Sequence, residues 1–143
     1  MTAMVSPARI AEVMGLRRKI RSLGELATVV REGLPKSALK ASVARVFPEG
    51  REQTDMLYRV IPEATYKRRR DQLKAEESER TERLARVIAT AEYVWDDDAE
   101  ARRFLTTAHS QLEGQRPIDV ALTELGARRV EELLWKLFYG IAA

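Results

Sequence analysis

A chain of 143 residues suffices for one ordinary domain or for two small helical subdomains sharing a core. Charged residues make up 33% and hydrophobic ones 45%, a soluble globular balance with no apolar run of bilayer-spanning length, and the lack of cysteine excludes disulfides and thiol chemistry. The net charge of +3 conceals an asymmetry, +7 over residues 1–90 and −4 over 91–143, so the front suits an anionic surface such as DNA and the rear does not. The N-terminus lacks the apolar core of a secretory signal, so a cytoplasmic protein without membrane partners is expected.

Nearly every segment carries the helical period, and none alternates as a strand would, which predicts an all-α fold. A short helix is expected from Pro7 to Met14, followed by the basic cluster Arg17-Arg18-Lys19. Ser22 and Glu25 have the spacing of a capping box and open a helix that Gly33 closes. Pro35 starts another, with Leu39, Val43, Val46 and Phe47 on one face and Pro48 after it. A helix near Glu52 to Val60 follows, and Pro62 seats at the first turn of the next, which carries Tyr66 and Lys67 to Arg70. A long helix should run from Glu77 to Trp95. Its buried face is Leu84, Val87, Ile88, Ala91 and Trp95, with Glu79, Arg80, Glu82, Arg83 and Arg86 in solvent. Asp96 to Asp98 end it and cap a helix from Ala99 to Thr107. Gly114 to Pro117 form a turn, Pro117 opens a short helix through Leu122, Thr123 caps the last helix, and Gly140 stops it in the left-handed conformation.

That last helix is apolar on two sides. Val130, Leu133, Leu134, Leu137 and Ile141 repeat at helical spacing and form a stripe for the chain's own core. Trp135 and Tyr139 fall roughly 160° away, four residues apart, with Arg128 a turn or two above and Glu131, Glu132, Arg129 and Lys136 on the flanks. Either a neighbouring segment covers this aromatic line or another chain does. Aromatic rings beside arginine are the composition of interface hot spots, which favours another chain.

The inventory offers little for catalysis or for cofactors. His109 is the only histidine, no second histidine or cysteine completes a metal site or nucleophile pair, and the scattered glycines form no phosphate loop. Asp96 to Asp98 read as caps, because three consecutive side chains cannot converge on one ion. The adjacent Glu131 and Glu132 diverge by about 100° on a helix, unlike a paired acid and base. Neither an enzyme nor a bound cofactor is expected. The two helices flanking Pro62 have the length and turn of a helix-turn-helix unit. In such a unit Thr65, Tyr66 and Arg69 would reach base or sugar edges while Lys67, Arg68 and Arg70 reach phosphates. The alternative is a solvated basic face pairing with Glu76, Glu77 and Glu79 downstream. The residues alone leave both open.

One family combines these features. The run Glu113-Gly114-Gln115-Arg116-Pro117-Ile118-Asp119-Val120-Ala121, then Thr123-Glu-Leu-Gly126-Ala127-Arg128-Arg129-Val130-Glu131-Glu132-Leu133-Leu134, ending in Tyr139-Gly140 and a short tail, closely resembles the toxin-binding domain of the Xre/MbcA/ParS antitoxins. Upstream, Gly33 to Leu39, Pro62 to Arg69 and Glu77 to Val87 also resemble that family, so the likeness covers about residues 23–143. Gly114-Gln115 stands where relatives often have two glycines, and Phe47-Pro48-Glu49-Gly50 where many carry a Gly-Leu-Ser boundary. The resemblance implies a helix-turn-helix-like domain over 1–75 packed on a toxin-binding domain over 76–143. It implies an antitoxin whose partner is a RES-domain toxin that consumes NAD or ADP-ribosylates a target. The chain would act as a homodimer within a hetero-oligomer, with operator DNA as a second partner; a transcriptional regulator without a toxin is the alternative. Carried over by position, Gly140, Ile141, Ala142 and Ala143 would plug the toxin's active site. Trp135, Lys136 and Tyr139 would grip its rim, and Arg116, Arg128 and Glu132 would shape the platform.

Overall fold

The computed structural model describes residues 4–140, and the described residues are helical with only two isolated bridges between loops. Nine α-helices follow in order: α1 (Pro7–Val13), α2 (Leu23–Glu32), α3 (Ser37–Val46), α4 (Arg51–Val60), α5 (Glu63–Arg68), α6 (Ala75–Trp95), α7 (Asp98–Leu105), α8 (Pro117–Val120) and α9 (Glu124–Phe138). A 3₁₀ turn over Ser110–Leu112, absent from the sequence expectation, separates α7 from α8. His109 caps it, its Nδ1 accepting from the Gln111 amide at 3.1 Å.

Short-range polar chemistry sets the boundaries. Ser22 Oγ accepts from the Glu25 amide at 3.1 Å, Asp97 Oδ1 from the Glu100 amide at 2.9 Å and Thr123 Oγ1 from the Gly126 amide at 2.9 Å. Glu25 reaches back one residue further than a capping box requires, accepting from the Arg21 amide at 3.0 Å.

Helix α6 is the axle. It packs against α1, α2 and α3 on one side and α7 and α9 on the other, burying Leu84, Ala85, Val87, Ile88 and Ala91 almost completely. Each such leucine or isoleucine removed from water contributes about 1.5–3 kcal/mol. Its buried hydroxyls are satisfied within the helix, Thr81 donating to the Glu77 carbonyl at 2.9 Å and Thr90 to that of Arg86 at 2.7 Å. Ser78 instead accepts from the Leu34 amide at 2.8 Å and ties the α2–α3 turn to the axle. The 75/76 division thus falls where α6 begins, on a helix that both halves share.

Two expectations for α6 are corrected. Trp95 is 38% exposed rather than buried, because Asp96 turns left-handed (φ 51°) immediately after it and no further turn covers the ring. Glu82 and Arg86 are not solvated: α6 and α9 close over them, Arg86 binding Glu82 at 3.1 Å and Glu131 at 2.8 Å. Burial raises the Glu82 carboxyl above its ordinary range despite that arginine.

Candidate functional site

Helices α6 and α9 run parallel, since the contacts Arg86–Glu131 and Tyr93–Phe138 advance together along both. This alignment rests on Gly126. A β-carbon there would lie 1.7 Å from the Val120 carbonyl oxygen, so only glycine lets the first turn of α9 close against α8. Below it Ala127, Val130, Leu133 and Leu134 are buried, as the periodicity predicts. Leu137 is half-buried, and Ile141 lies outside the described residues.

Where α6 and α9 end together, their aromatic side chains form one open cluster. The Trp135 ring lies 5.7 Å from Tyr93, 5.5 Å from Phe138 and 6.2 Å from Tyr139 between centroids, and Tyr93 and Phe138 are 5.5 Å apart. Phe138 is 44% and Tyr139 62% exposed, whereas Trp135 is half-buried among the other rings. The chain therefore covers part of the tryptophan itself and leaves the outer face of the cluster open.

Arg128 does not stack on this cluster. It turns along the helix to Glu124 at 2.8 Å, and the cation over an aromatic ring is Arg9 of α1, 5.0 Å from the Tyr93 centroid. Glu132 and Lys136 are exposed on the outer flank of α9, beside a shallow recess with Gln111, Leu112, Arg129 and Leu133. Gly140 takes φ +70° and closes the helix, its amide donating to the Leu137 carbonyl at 3.2 Å. The assigned plug residues Ile141, Ala142 and Ala143 lie outside the described residues.

Arg116 sits apart, on the seam between the halves. Its guanidinium grips Asp119 through two bonds of 2.8 and 3.2 Å, reaches Glu52 of α4 at 3.3 Å and lies over the Phe47 ring. Arg59 binds the same Asp119 at 2.6 Å. Burial would raise this carboxyl, but the two arginines hold it below its ordinary range. Arg116 thus fastens the α8 turn to α4.

The second candidate site is α5. Lys67, Arg68 and Arg70 are exposed, Lys67 pairing only with Glu63 of its own helix at 2.7 Å. Thr65 is half-buried. Tyr66 leans inward, its hydroxyl donating to the Lys36 carbonyl at 3.4 Å and its ring 6.2 Å from Tyr58. Burial first, and then Tyr58, raise its pKa above the usual tyrosine value. Arg69 is committed elsewhere: it forms a two-bond pair with Glu77 at 2.8 and 2.7 Å, and those hydrogen bonds lower the glutamate pKa to about 2. Of the two readings of the basic run, internal pairing holds for Arg69, and solvent exposure for Lys67, Arg68 and Arg70.

Tyr93, Phe138 and Arg9 were not among the expected site residues. Tyr93 carried the signal that marked Trp135, an aromatic off the buried stripe of its helix. Arg9 carried none, since its ring partner lies 84 positions away. Among the described residues no group of three or more His, Asp or Glu side chains could hold a metal, and no helix is long and apolar enough to cross a membrane.

Comparison with known proteins assigns both halves. Residues 25–86 match the antitoxin Xre-like helix-turn-helix domain, and residues 90–140 match the C-terminal toxin-binding domain of the Xre/MbcA/ParS antitoxins. A relative named Antitoxin Xre, from Pseudomonas putida strain KT2440, is 36% identical over 84 residues, 57% of this chain. The matched stretch spans about half (53%) of that relative's length.

Proposed function

The chain belongs to the Xre/MbcA/ParS antitoxins, and on that footing we propose that it neutralises a RES-domain toxin by seating the end of α9 against the toxin's active-site cleft. The observation that carries this reading is the exposed aromatic cluster of Tyr93, Trp135, Phe138 and Tyr139 at the point where α9 delivers the chain end. A helix anchored by Gly126 and packed on α6 holds these rings in one orientation, so little conformational entropy is lost when a partner covers them. Large amphipathic rings around a half-buried tryptophan are the usual centre of a binding hot spot. Gly140 then sets the direction in which residues 141–143 leave the helix.

Co-expression with the toxin encoded alongside tests this. Deleting residues 141–143 should release toxin activity while the antitoxin still folds and still binds. Trp135→Glu should abolish the complex. Full protection of growth by both variants overturns the reading.

A second role, binding operator DNA through α5, is favoured by one observation: Lys67, Arg68 and Arg70 stand exposed on a short helix following a turn, held from behind by Arg69–Glu77. Its contacts would be mainly to phosphate, because Tyr66 and Arg69 are turned inward.

A further inference from the structure

We propose that the toxin-facing surface extends beyond the C-terminal domain onto α1, where Arg9 binds a carboxylate of the partner at the edge of the aromatic cluster. This rests on the antitoxin reading above and names the partner's chemistry at that site: an apolar patch with an acidic rim.

Helix α1 lies before both matched regions, yet it packs on α6 and places the Arg9 guanidinium on the face of Tyr93, which itself touches Trp135 and Phe138. A guanidinium stacked on a ring keeps its N–H donors directed outward in the ring's plane, oriented for a carboxylate before any partner arrives. Among the described residues those donors have no ion pair and no hydrogen bond, although Glu92 feels the charge through space. The nearby carboxylates do not answer Arg9. Arg45 holds Glu12 at 3.6 Å and Glu92 at 3.4 Å. On the opposite flank, Lys136 is likewise exposed without an ion pair among the described residues. The aromatic cluster therefore lies between two unanswered cations, although the rear half as a whole is negative. A second copy of this chain would have to answer with Glu132 on its outer flank; a partner with carboxylates around an apolar patch answers both cations at once.

The test uses the full chain and the purified, inactivated product of the adjoining toxin reading frame. Arg9→Glu should weaken the complex about tenfold at low salt, with a smaller loss in ~0.5 M salt, and Arg9→Lys should fall between it and the native chain. Unchanged thermal unfolding of Arg9→Glu confirms that the loss is not one of folding. If Arg9→Glu binds within twofold of the native chain while Trp135→Glu does not bind, the extension onto α1 is wrong and the antitoxin reading stands. If neither substitution changes binding, both fall. If sedimentation shows a native dimer that Arg9→Glu converts to monomer, the patch belongs to a second copy and the proposal is overturned.

Discussion

The two ends of this molecule treat their conspicuous residues in opposite ways. At α5 the structure draws the middle of the basic run inward, fixing Arg69 on Glu77 and Tyr66 on Lys36, and leaves three cations outside. At α9 it gathers rings from two helices and leaves their outer face open. A cluster of charge is cheap to leave in water, so its exposure alone carries little information. Exposed apolar area costs about 25 cal/mol per Å² relative to burial, so an aromatic cluster left open by a chain able to bury 37 other hydrophobic side chains points to a missing partner.

The sharpest way to break the rear end without touching the cluster is Gly126→Val. Its β-carbon would collide with the Val120 backbone, so α9 must lift from α8 and the parallel register with α6 is lost. Destabilisation of about 3 kcal/mol or more is expected, together with loss of toxin binding. Gly114→Ala is the control. It has no atom within 4 Å of the new methyl group, and only its φ of +76° is disfavoured, for a cost of about 1 kcal/mol. Denaturant unfolding of the two variants compares them, and equal midpoints would show that α8–α9 closure does not depend on Gly126.

The front end is best probed through Glu77. Its folded pKa is about 2 against an ordinary 4.5, chiefly through the Arg69 hydrogen bonds. A lowered carboxylate pKa stabilises the fold fully above 4.5, and the contribution disappears as pH falls toward 2, because the unfolded chain takes up the proton first. Native stability measured in urea should therefore drop across that window more steeply than that of Glu77→Gln, which has already lost the contribution at neutral pH. Parallel curves would mean that the pair does not hold α5 in place.

Local chemistry was readable in advance and long-range registry was not. The caps at Ser22, Asp97 and Thr123 and the stop at Gly140 depend on neighbours within four residues, and the structure places all four as the spacing predicted. The buried stripe of α9 follows from helical period alone. The aromatic cluster was half legible: Trp135 and Tyr139 stood out on one helix, while Tyr93 joins them only because α6 and α9 run parallel. Arg9 depends on a third helix and left no trace in the pattern. Trp95 misled for the converse reason, since its position continues the buried stripe but the helix ends one residue later. Whether the basic run pairs or stays free depended on a turn that brings residues 69 and 77 together, which spacing could not decide.

The smallest expected effect separates charge that binds from charge that builds. Changing Lys67, Arg68 and Arg70 together to alanine should leave stability almost unchanged, since the only ion pair lost is the exposed Lys67–Glu63 pair, worth about 0.5 kcal/mol at most. If α5 meets DNA phosphates, the dependence of log affinity on log salt should flatten by about 0.9 for each contact removed, roughly 2–3 in total. Arg69→Ala should do the reverse, lowering stability and shifting the acid profile toward that of Glu77→Gln while changing the salt slope only as far as α5 itself loosens. A triple variant with an unchanged slope would leave α5 as a structural support for α6. The open aromatic end would then be the only surface here with a stated partner.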